Sequence, residues 1–187
     1  MKKNLLLTFI LVAIIQLAIP IKMIVGKENI LSTGTEYKFR TAPVDPNDPF
    51  RGKYITLRFD ANNFDVANDN FWHQDDDVYV LLGKDEKGFA KIIDITKQSP
   101  LNNKSDYVKA KIQYAYDNKV TIDYTFNKFF MEESKAPNTE SVYRETARDT
   151  SQTAYALVYV KEGDAVLKDV IINGVSISAI SGKDEKE

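Results

Sequence analysis

The chain has 187 residues, 43% of them hydrophobic, with 25 basic and 27 acidic side chains and a net charge of −2. That length supports one domain with a real core, or two small ones. The charge offers no basic field for a nucleic-acid backbone, and the absence of cysteine excludes disulfides, thiolate metal sites, a cysteine nucleophile and a lipid-accepting cysteine.

In chain order, Lys2 and Lys3 precede an uncharged run of seventeen residues, Leu5 to Ile21, which Met23, Ile24 and Val25 extend past Lys22. Seventeen helical residues cover about 25 Å, short of a bilayer core of about 30 Å. With the extension added and Lys22 snorkelling to the interface, the span suffices. A cleaved signal peptide begins the same way but ends in small residues, and "QLAIPIKMIVGKE" offers only Ile24-Val25-Gly26. A retained anchor over residues 1–29 is therefore the leading expectation, with cleavage as its rival. Lys2 and Lys3 favour a cytoplasmic N-terminus, an asymmetry that Lys22 and Lys27 blunt. Either way, residues 30–181 are expected as a domain outside the cytoplasm; with the anchor retained, one span holds it at the inner or plasma membrane.

Beyond the anchor the pattern is β. Tyr37 to Thr41 alternates, and so does Tyr54 to Asp60. Residues 77–96 read as a hairpin around Lys84-Asp85-Glu86-Lys87-Gly88, with glycine where positive φ is needed. Residues 107–126 repeat the design around Asp117-Asn118-Lys119, and 155–174 around Glu162-Gly163-Asp164. Three successive hairpins predict a mainly β protein, an antiparallel barrel or sandwich. The stretch 128–152 interrupts them, with Pro137, Val142, Thr146 and Asp149 spaced for one short helix, and 182–187 reads as a disordered tail. Residues 79–95 and 157–172 echo each other, each a strand, a charged glycine turn and a strand. Two related units, about 30–126 and 127–181, would explain the echo, although hairpins resemble one another by necessity.

The search for catalysis returns little. His73 is the single histidine, beside Trp72 and Asp75, Asp76 and Asp77. No serine sits in a Gly-x-Ser-x-Gly elbow. A Ser-Lys dyad would use Ser32, which follows the anchor as in signal peptidases, but Thr33-Gly34 stands where those enzymes carry methionine. Asp60, Asp65, Asp69, Asp75, Asp76 and Asp77 are oxygen ligands of the kind that hard cations take, yet they lack the spacing of a calcium loop and read as a solvated loop. No cofactor or metal is expected.

One stretch remains, "PVDPNDPFRGKYITLRF", residues 43–59. Asp45-Pro46 and Asp48-Pro49 stiffen the backbone and invite Asx turns, and Gly52 permits a sharp entry into a strand. In that strand Ile55, Leu57 and Phe59 share one face, and Tyr54, Thr56 and Arg58 the other. Leu57 and Phe59 are expected in the core. Arg51, Tyr54 and Arg58 either cover a loop or form a recognition surface with Asp45 and Asp48.

This stretch resembles the signature of the GDYXXLXY family of bacterial membrane-anchored proteins. Gly52, Tyr54 and Leu57 match Gly-Asp-Tyr-x-x-Leu-x-Tyr, and the preceding Pro43 to Arg51 is similar to the family's context. Two positions depart from it: Lys53 replaces the Asp, so no role of that carboxylate carries over, and Phe59 replaces the final Tyr, keeping the ring without the hydroxyl. The resemblance implies an address rather than a chemistry. The expectation is a membrane-tethered module that binds a multi-pass membrane protein or another envelope protein. The alternative is a hydrolase with a Ser-Lys or acidic site.

Overall fold

The computed structural model describes residues 2–41, 54–100, 105–130 and 154–177. Helix α1 runs unbroken from Lys2 to Thr33 with Pro20 inside it, about 48 Å at the helical rise. Its large side chains between Leu6 and Val25 are exposed, and none of its apolar window is buried. The helix is long and apolar enough to cross a membrane.

The last two turns behave differently. Ile30 is 7% exposed. Lys27 Nζ donates to the carbonyl of Ala165 at 3.5 Å, and Lys161 Nζ donates to Asn29 Oδ1 at 3.3 Å and to Thr33 Oγ1 at 2.7 Å. The helix is thus docked on the β domain with no loop between them, and the chain passes through Gly34 alone into the first strand.

Eleven strands follow among the described residues: β1 (Thr35–Arg40), β2 (Tyr54–Thr56), β3 (Asn63–Asp65), β4 (Asp77–Lys84), β5 (Ala90–Thr96), β6 (Tyr107–Tyr116), β7 (Lys119–Tyr124), β8 (Lys128–Phe130), β9 (Ala154–Lys161), β10 (Asp164–Ile172) and β11 (Val175–Ser176). They form a four-stranded sheet, β1-β9-β10-β11, a five-stranded sheet, β3-β7-β6-β4-β5, and the pair β2-β8. Every ladder is antiparallel. The fold is mainly β, as the hairpin series implied.

The three expected hairpins are present. Gly88 lies at φ 80°, and the pairs Asp117-Asn118 and Glu162-Gly163 have positive φ at both positions, the two-residue geometry that matches strand twist. Gly163 also needs its missing side chain, because a Cβ there would stand 2.7 Å from the Tyr107 ring. A fourth hairpin was not expected: Asn173 and Gly174, both at positive φ, return the chain into β11. The echo between 79–95 and 157–172 extends to detail. Each hairpin has a register shift in its second strand, followed by an aspartate, Asp94 or Asp169, that accepts the next residue's amide at 2.8 Å.

Two expectations need correction. The strand from Tyr54 does not reach Asp60: it ends at Thr56, Phe59 makes a single bridge to Thr41, and Asp60–Asn62 form a 3-10 turn. Alternation survives past the strand because buried Leu57 and Phe59 still point inward. The interruption at 128 opens with β8, which pairs with β2. The short helix placed within 128–152 and the tail at 182–187 lie outside the described residues, apart from that strand.

The buried cluster draws on both sheets and on both stretches that the echo suggested as units: Phe39, Val80 and Ile122 belong to the same cluster as Val158 and Val170. Arg40 ties the sheets from outside, with its guanidinium 4.2 Å from the Phe89 ring centre and 3.7 Å from both Asp60 and Asp85.

Candidate functional site

The signature stretch contributes to the core. Leu57 and Phe59 are each 2% exposed. Phe59 joins Phe39, Tyr124 and Phe126 in a four-ring cluster with centroids 4.9 to 6.1 Å apart. Burial is what makes the hydroxyl-free ring suitable here, since a buried phenol needs a partner. The tyrosine of this cluster has one: Tyr124 Oη donates to the carbonyl of Ala61 at 2.6 Å. Burial pushes that phenol well above the usual tyrosine range. The amide of Leu57 donates to Asn127 at 2.7 Å, which prolongs the β2–β8 contact.

Arg58, between the two buried residues, is exposed. Tyr54 stands opposite Phe130 in the β2–β8 register. Asp45, Asp48, Arg51 and Gly52 lie outside the described residues, as does the side chain of Tyr54. The motif is therefore half scaffold, through Leu57 and Phe59, with Arg58 available on the surface.

The residues weighed for catalysis find other partners. Ser32 Oγ donates to the Asn29 carbonyl at 3.2 Å, while Lys161 meets Thr33, the next residue along. His73 is mostly exposed, with Nδ1 3.6 Å from Asp76. The aspartates disperse: Asp60 faces Arg40, Asp69 accepts from the amide of Asn118, Asp76 holds Lys97, and Asp77 faces Lys111. Among the described residues no three histidine or acidic side chains gather as metal ligands.

A cleft that sequence reading missed lies between the two outer strands of the five-stranded sheet, β3 and β5. Its volume is about 450 Å³. Phe64 and Asp65 line it from β3, Asp94 and Ile95 from β5, and Phe71 and Trp72 add an aromatic wall. Those two rings meet edge-on at 5.1 Å, and Phe71 is 56% exposed. Phe71 ends the 3-10 turn Asp69–Phe71, which Asn68 caps by accepting the amide of Asn70, and Trp72 follows it in extended conformation.

Lys97 holds this wall. Its Nζ donates to the Phe71 carbonyl at 2.8 Å, lies 4.3 Å from the Phe71 ring centre and 5.6 Å from that of Trp72, and pairs with Asp76 at 2.7 Å. The hydrogen bond from Lys97, with that from the His73 amide, holds the Asp76 carboxyl below the usual range. The signal available in the sequence was the adjacent pair Phe71-Trp72 inside a polar stretch.

An apolar helix capable of spanning a bilayer, docked on an antiparallel β domain, defines the class of this protein. Two positions of its signature stretch, Leu57 and Phe59, pack in the core. The chain belongs to the GDYXXLXY family: the family model, GDYXXLXY protein, matches residues 16–170. The match runs from within α1 through the junction and both sheets into β10. Comparison with curated proteins and with solved structures gave no match.

Proposed function

We propose that this is a single-pass membrane protein whose β domain works outside the cytoplasm by binding another membrane or envelope protein. One observation carries the reading: the helix apolar on all sides continues, without a linker, into a turn packed on the β domain. About twenty residues cross the hydrocarbon core, so the span from Leu6 to Val25 leaves Lys27 at the headgroups and Ile30 just beyond them. A domain docked that close to the bilayer is suited to a partner that is itself in or on the membrane. Lys2 and Lys3 ahead of the span favour the domain outside, and exposed Arg58 in the signature supplies a contact residue.

Protease added to spheroplasts tests the topology. Cleavage of the domain, with a protected fragment containing α1, is the expected result. Full protection in intact spheroplasts with digestion after lysis places the domain in the cytoplasm and overturns the reading.

A further inference from the structure

We propose that the cleft between β3 and β5 binds an extended segment of a partner protein in which a lysine or arginine stands beside an apolar side chain. The inference rests on the binding role proposed above and names the chemistry of what is bound.

The lining of the cleft is mostly apolar and carries two negative charges. Phe64, Val66, Phe71, Trp72 and Ile95 supply the apolar surface, while Asp65 and Asp94 are both exposed carboxylates in its lining. No cation belongs to that lining. Lys97, which touches the two rings from beside the cleft, is neutralised by Asp76. Lys119 stands opposite Asp65 in the β3–β7 register but makes no ion pair with it. Asp94 accepts only the amide of Ile95 among the described residues, which leaves its charge uncompensated.

Such a lining is complementary to a cation carried on an apolar body. An acidic ligand would face two like charges without a counterion, at an energetic cost that gives the cleft its selectivity. Exposed Phe71 beside half-buried Trp72 is the kind of aromatic anchor that dominates protein contacts. The cleft lies between the two outer strands of one sheet, beside main chain that an extended segment can follow. Its size is within the range of ligand sites, about 300–1,000 Å³.

Trp72 is the single tryptophan of the chain, so its fluorescence reports this cleft alone. The test uses the full chain in nanodiscs of phosphatidylcholine and two tryptophan-free synthetic nonapeptides. One alternates lysine with leucine, and the other carries glutamate in place of each lysine. The lysine peptide is expected to shift Trp72 emission saturably, and the glutamate peptide to leave it unchanged.

Asp65→Asn combined with Asp94→Asn should weaken the lysine peptide about tenfold or more. Both changes keep side-chain size and the acceptor that Asp94 offers to Ile95. Asp65→Lys with Asp94→Lys should transfer the preference to the glutamate peptide. Phe71→Ala should weaken the lysine peptide as well. If that variant does not fold, the Asp→Asn pair still decides.

Equal responses to both peptides, no response to either, or an affinity unchanged in the Asp→Asn pair overturns the proposal. So does loss of the peptide signal on adding phosphatidylethanolamine to the nanodiscs, which would make a lipid amine the occupant. None of these outcomes depends on the side of the membrane the domain occupies, so failure here and failure of the topology are separate results.

Discussion

The amide of Gly34 donates to the carbonyl of Ile30 at 2.8 Å, and this bond closes the last turn of α1 one residue before β1 begins. A Cβ at Gly34 would stand 2.5 Å from that carbonyl oxygen and 2.9 Å from the carbonyl oxygen of Val160 on β9. Both obstacles are backbone, so they cannot rotate aside as a side chain would. The absence of a side chain at residue 34 is what lets helix and sheet meet directly.

Gly34→Ala should therefore destabilise the domain or loosen the junction, at a cost of about 1–3 kcal/mol. Thermal unfolding in detergent measures the first, and protease cleavage between residues 26 and 35 measures the second. An unchanged melting temperature together with an intact junction would show that the helix and sheet do not hold this contact.

The signature stretch separates packing from surface. Leu57→Ala should cost about 2–5 kcal/mol, because the residue is almost fully enclosed and the cavity collapses only in part. Arg58→Ala, one residue away and exposed, should change stability by less than about 0.5 kcal/mol. A photoreactive residue at position 58 should give protein adducts in membranes if this face touches a partner. Adducts with lipid alone, or none, would remove Arg58 from the contact surface.

Acid should act on the wall of the cleft. Asp76 has its pKa lowered in the folded protein, chiefly by its hydrogen bond from Lys97. The stabilisation it contributes is present above the ordinary carboxylate value of about 4 and is lost as pH falls below it. Lys97 should then loosen from Phe71 and Trp72, changing Trp72 emission below about pH 4. In Asp76→Asn this acid step should disappear. A transition of the same size in the variant would assign it to other carboxylates.

Alkali should act on the core. Tyr124 and Tyr37 both have raised pKa values, chiefly from burial, and Tyr37 also donates to Asp106 at 3.1 Å. A phenol that holds its proton more tightly when folded stabilises the protein fully below the unfolded value of about 10, and that stability is lost as pH rises from there through the higher folded value. Unfolding midpoints in denaturant should fall above about pH 10. Tyr124→Phe should flatten the fall while costing about 1 kcal/mol at neutral pH through the lost bond to Ala61. An alkaline slope equal to that of the unmodified chain would exclude Tyr124 as its source.

Sequence alone determined the features that neighbouring residues control. An apolar run that, with its extension past Lys22, is long enough to cross a bilayer, and turns such as Asp117-Asn118 and Glu162-Gly163 between alternating strands, act within a few residues and are visible as pattern. The inward pointing of Leu57 and Phe59 follows from period-two alternation, which persists where strand pairing stops. Asn173-Gly174 is equally local in its chemistry, but the strand it leads into, β11, spans two residues among those described. Tertiary structure decided which edges meet. β1 pairs with β9 across more than a hundred residues, and β2 with β8 across about seventy, because any apolar strand edge satisfies another until packing selects among them. The cleft arises in the same way: Phe64 and Ile95 are unremarkable in sequence, and only the fold that brings β3 and β5 to one opening beside Phe71 and Trp72 makes a surface of them.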